Sequence, residues 1–206
     1  IITANIPAEH PEVKNEILNS SAKLKKVLPN KIKPLEIYKE NTRPKVLQVV
    51  KNNSQADIMQ VYKFKTDNTL RESVLGELTN SILTSSSIGL FDNLREKDHL
   101  AYSVYSTIEK TGNSGEISCN ILTTTDNKDI GEISYDNVKK SIDGFNRQIA
   151  KLKAGEFSDK DLENAKLAMK ANLLNTEGSS KKLDTINLGL NSKYGITYAN
   201  KLYNEI

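Results

Sequence analysis

The chain has 206 residues, Lys+Arg 29 against Asp+Glu 26 and a net charge of +3, so it is long enough for a real core, and its dispersed basic residues exclude a nucleic-acid surface. A single cysteine, Cys119, excludes an internal disulfide and a cysteine-based zinc cage, and no apolar run has the length of a bilayer span. The chain does not begin with Met and carries no signal peptide; both ends are expected to be cuts through a longer polypeptide, so missing targeting signals say nothing about compartment.

Residues 1–43 read as a lead-in of strand, helix and linker. Ile1–Asn5 has the look of a strand tail, and Pro11–Leu28 is a predicted helix, with Val13, Ile17, Leu24 and Leu28 at helical spacing. Lys23, Lys25 and Lys26 on it are read as a solvated face. Pro29, Pro34 and Pro44 then break regular structure, which sets the main domain at 44–206. Lys45–Lys51 and Asp57–Lys65 are strand candidates with a turn at Asn52-Asn53-Ser54. Asp67–Leu83 is a predicted helix with Leu70, Val74, Leu75, Leu78 and Ile82 as its stripe and Asp67 or Thr69 as its cap. A short helix, Leu90–Lys97, follows Ser85–Gly89.

Strands Leu100–Glu109 and Glu116–Thr124 flank Thr111-Gly112-Asn113-Ser114-Gly115, a hairpin signal. Alternation puts Leu100, Tyr102 and Val104 on one face of the first strand, and Ile117, Cys119 and Ile121 on one face of the second, which makes Cys119 a small core residue. Tyr135, Val138, Ile142, Phe145, Ile149 and Leu152 mark a helix over Ser134–Lys153, stopped by Gly155. Ser158-Asp159-Lys160-Asp161 opens another helix to about Asn175, and a last helical stretch covers Ser179–Asn191. Strands, helix, hairpin and helices in this order give an α+β domain: an antiparallel sheet with helices packed on one face.

The metal and nucleophile chemistry is thin. The two histidines, His10 and His99, do not form His-x-x-Glu-His. Glu96 and His99 share a helical spacing, but two ligands without a third make a surface charge pair a better description than a metal site. Asp159, Asp161 and Glu163 lack the glycine and terminal Glu of a calcium loop and fit an acidic helix N-terminus. Thr123-Thr124-Thr125-Asp126 has no identifiable base, and Gly112 and Gly115 are hairpin glycines, not a phosphate cradle.

The run Leu94-Arg95-Glu96-Lys97-Asp98-His99-Leu100-Ala101-Tyr102-Ser103-Val104 resembles the L-R-E-K-x-x-L-A-Y-S-V signature of the M16 (pitrilysin/insulinase-type) metallopeptidases. Ser86–Lys97 is similar to that family's S-S-R-L-F-x-x-L-R-E-K, with Ile88-Gly89 where its arginine falls, and Gly155–Lys166 is similar to a later G-x-x-(S/T)-x-x-(E/D)-L-x-x-A-K segment. The resemblance covers about residues 44–206 and implies the family's C-terminal-type domain, not the one that holds zinc. It implies that Arg95 helps hold a peptide substrate and that Tyr102, seven positions on, donates to the scissile carbonyl or its oxyanion. It further implies no cofactor in this chain, zinc in a separate catalytic M16 domain of the same chain or a partner subunit, and no activity of this chain alone. The residues by themselves leave two other roles open: Tyr102 as sheet packing with Arg95 paired to Glu96, and a catalytically silent structural or interaction domain of the same fold.

Overall fold

The computed structural model describes residues 8–23, 36–48, 54–127, 132–175 and 193–206, together with positions 4, 6, 183, 184, 186, 187, 189 and 190. The chain divides into two compact units, Ile1–Pro34 with Ala171–Asn204, and Leu35–Lys170 with Glu205–Ile206. In the first unit, α1 (Pro11–Ala22) starts on Pro11, which has no amide to leave unpaired, and it buries no residue. The expected continuation through Leu24 and Leu28 lies outside the described residues. A 3-10 turn, Gly195–Thr197, leads into a short terminal helix, Tyr198–Glu205, which buries Leu202. The described positions between 183 and 190 are helical, while the rest of the predicted Ser179–Asn191 stretch lies outside the description.

The second unit holds the sheet. β1 (Gln55–Lys65), β2 (Ala101–Thr111) and β3 (Ser114–Thr124) form an antiparallel sheet in the order β1-β3-β2. Gly112 and Asn113 alone turn the hairpin, with Gly112 at φ +58. The Asn113 side-chain oxygen accepts from the amides of Ile37 and Tyr38 at 2.7 and 2.9 Å, which ties residues 36–38 to the hairpin tip. A two-stranded ribbon, β4 (Asp126–Asn127) with β5 (Glu132–Ile133), follows.

α2 (Leu70–Ser85), α3 (Asp136–Ala154) and the sheet enclose a core of Leu83, Leu90, Leu94, Leu100, Val104, Cys119, Ile121, Phe145 and Ile149. Thr69 caps α2 in a reciprocal capping box with Glu72, whose carboxyl the Thr69 amide holds below its ordinary range. Gly155 ends α3 at φ +70, as the sequence predicts. Cys119 is buried inward, and burial pushes its thiol up to about 11, which suits a core residue and not a nucleophile.

Three sequence expectations need correction. Lys45–Gln48 forms no strand, and Val46 and Leu47 are almost fully exposed; β propensity does not hold a strand that has no ladder to join, and residues 49–51 lie outside the description. Leu75 is half-exposed; α2 turns Val74, Leu78, Ile82 and Leu83 inward instead. On α3 the buried face is Ser141, Gly144, Phe145, Gln148 and Ile149, while Ile142 and Tyr135 face water. Apolar residues alone misplace that stripe because its close-approach position is a glycine: a Cβ on Gly144 would meet Leu94 at 3.0 Å.

Candidate functional site

Between α2 and β2 the chain departs from regular geometry three times. Phe91–Lys97 forms a π-helical turn, with the Asp98 amide donating five residues back to the Asn93 carbonyl at 3.0 Å. His99 then sits at φ +52, a left-handed conformation uncommon for a residue with a side chain. In β2 the pairing steps from Ala101–Thr123 to Ser103–Leu122, so Tyr102 is the extra residue of a β-bulge. The Asn93 side chain steadies the entry by donating to the Ser87 and Gly89 carbonyls at 3.1 and 2.7 Å. Thr123 Oγ1 donates to the Leu100 carbonyl at 2.6 Å and steadies the exit.

The bulge changes where Tyr102 points. Simple alternation puts it on the core face with Leu100 and Val104, yet those two are buried and Tyr102 is 85% exposed. The extra residue resets the parity of the strand and releases the phenol from the core. The Arg95 guanidinium carbon lies 5.5 Å from the centre of the Tyr102 ring and 4.6 Å from that of Phe91. Arg95 and Tyr102, singled out by the family resemblance, are therefore brought together, and Phe91 joins them. Reasoning on the sequence missed Phe91, although its position four residues before Arg95 on a helix was a readable signal. Arg95 Nε also lies 3.4 Å from Glu96 Oε1, an exposed pair of small energetic weight.

The other candidates go elsewhere. His10 meets Glu12 at 3.0 Å on the surface. Among the described residues no three His, Cys, Asp or Glu side chains converge as a metal site, so the donor set does not fit zinc. Among the same residues, no helix is long and apolar enough to cross a membrane. Glu163 pairs with Lys166 at 2.9 Å.

Asp161 caps α4 (Asp159–Leu174) reciprocally with Ser158 and also accepts from the Ser87 hydroxyl at 2.7 Å. The hydroxyls of Ser87 and Ser158 and the Ser158 amide hold its carboxyl well below the usual carboxylate range. A depressed folded value stabilises above the unfolded one and is lost as pH falls beneath it. Asp161→Asn is thus expected to lower the thermal midpoint at neutral pH, and the gap to wild type should shrink in scans taken below about pH 3.9.

Sequence and structure comparisons bear on the family and the fold. The family described as "Peptidase M16 inactive domain" matches residues 2–169. No curated protein matches the chain. The periplasmic protease PqqL of Escherichia coli is similar in fold, with a TM-score of 0.54 at 16% identity over 75% of this chain and 16% of that one. The inactive peptidase domain of a zinc-protease-type protein from Bordetella parapertussis gives a TM-score of 0.56 at 12% identity over 77% of this chain and 81% of that one. A peptidase M16 inactive domain from Pseudomonas fluorescens gives 0.56 at 21% identity over 74% and 34%. The chain thus spans about a sixth of the E. coli protease and most of the Bordetella domain. The α+β sheet with its helices on one face is the fold these domains share, and the chain belongs to the M16 peptidase family as its inactive domain.

Proposed function

We propose that this domain forms one wall of a closed peptide chamber and lends Arg95 and Tyr102 to a reaction whose zinc and attacking water come from a catalytic M16 domain, in the same longer chain or on a partner subunit. The supporting observation is the stack of Phe91, Arg95 and Tyr102 at the bulge. Over two ring faces, the guanidinium keeps the in-plane N–H donors that Glu96 does not engage turned to the edge, where a peptide carbonyl can accept from them. The phenol hydroxyl is a donor suited to the same carbonyl or to the oxyanion that replaces it.

Exposure favours an accessory role over an independent one. A phenol 85% exposed acts in a high-dielectric medium, where one hydrogen bond discriminates little between ground and transition states. Closure of an opposing domain over it removes that water and raises the worth of both donors. Neither group can generate a nucleophile, so the chain by itself is expected to be silent.

The Arg95–Glu96 contact is the observation that favours a purely structural domain. The two readings differ in Arg95→Lys, which keeps the charge and loses the plane. In the full-length protein, peptide assays are expected to show kcat/KM lowered several-fold, the scale of ~0.5–2 kcal/mol for a cation–π contact. Unchanged kcat/KM would favour the structural domain.

A further inference from the structure

The segment that carries Arg95 is gripped near both ends by two consecutive residues of α3. Ile88, at its start, is buried, and in the amide orientation that matches donors to acceptors the Gln148 side chain donates to its carbonyl at 3.3 Å. Gln148 is itself fully buried, and in the same orientation its amide oxygen accepts from Arg147 Nε at 3.3 Å. At the far end Arg147 Nη2 donates to the Asp98 carboxylate. Between these anchors Leu94 packs on the bare backbone of Gly144. Gly144, Arg147 and Gln148 are spaced by three and four, so they share one face of α3.

We propose that Arg147 and Gln148 are positioning residues that clamp residues 88–98 onto α3 and so fix the Arg95 guanidinium against the Tyr102 ring. The clamp deepens the accessory reading given above and rests on it. A π turn followed by a left-handed His99 is a sparsely populated backbone path, and such paths persist only where their surroundings over-determine them. The Arg147–Asp98 pair is too exposed to do this alone, at 47% and 36% of side-chain surface. Its geometry comes from Gln148, which orients the guanidinium from inside the core while the same amide holds Ile88. One dipeptide thereby couples the entry of the segment to its exit. The pair also borders an open recess of about 380 Å³, lined with Leu100, Lys140 and Asp143.

The test is hydrogen exchange with peptide kinetics on the full-length protein. Arg147→Ala is expected to speed amide exchange over residues 88–98 by about tenfold, the scale of one lost charge-assisted hydrogen bond, with the sheet unchanged. In peptide assays kcat/KM should fall with it. Gln148→Met, which conserves volume and removes both hydrogen bonds, should speed exchange in the same segment and serves if Arg147→Ala does not fold. Unchanged exchange over 88–98 in the single variants overturns the clamp. Tyr102→Phe separates the two ideas: intact turnover in that variant removes the accessory role, while the exchange data still decide the clamp.

Discussion

Tyr102→Phe, made in the full-length protein, is expected to lower kcat on a peptide substrate by about 10²-fold, the lower end of the cost of one oxyanion donor (~2.7 kcal/mol), with KM little changed. The substitution removes one hydroxyl and keeps the ring, so the contact with the Arg95 guanidinium survives. The change therefore isolates hydrogen-bond donation from stacking. Bulge geometry gives the expectation its force. An unbulged β2 would turn this ring into the core beside Val104, where Phe would be as good as Tyr or better. On the exposed side, a tyrosine hydroxyl adds nothing to packing, so an effect on kcat alone would mark chemistry. Steady-state kinetics with a fluorogenic peptide would read it. A rise in KM at constant kcat would instead mark simple peptide binding.

The second large effect concerns stability. Phe145→Ala is expected to cost ~3–5 kcal/mol, because the side chain is fully buried and its removal leaves a cavity as well as losing transfer energy. Phe145 belongs to the same packed cluster as Leu94 and Leu100, two residues within the irregular segment. A domain of this size is stable by only ~5–15 kcal/mol, so the loss is a large share of the whole. The denaturant midpoint should drop with little change in slope. A loss below 1 kcal/mol would show that α3 is not the element against which the segment packs.

Much of the fold was legible because it rests on periodicity and turn chemistry. The hairpin glycine, the capping acid three residues after Ser158, and Gly155 at the end of α3 each carry a local signal that the packed structure obeys. The paths that aim the site were not legible. A bulge at Tyr102 inserts one residue into a ladder without any change in residue type, so alternation read along the strand gives the wrong face. The π turn at Phe91–Lys97 carries no glycine or proline to announce it, and its Leu94 packs on Gly144, a contact between residues fifty positions apart. A buried glutamine and a glycine were invisible to a search for apolar stripes. Arg95 and Tyr102 were found through the resemblance of a motif, not through periodicity. Their common stack with Phe91 required three-dimensional structure, as did the finding that Lys45–Gln48, the described part of an expected strand, is not one.

The decisive measurement is peptide turnover by the zinc-bearing M16 domain with this domain either wild type or carrying Arg95→Ala and Tyr102→Phe together, with zinc content assayed alongside. Wild type should support turnover, the double variant should lose most of it at equal zinc content, and the inactive domain on its own should cleave nothing. Full turnover with the double variant, or cleavage by this domain alone, would contradict a wall that lends two donors to a metal held elsewhere.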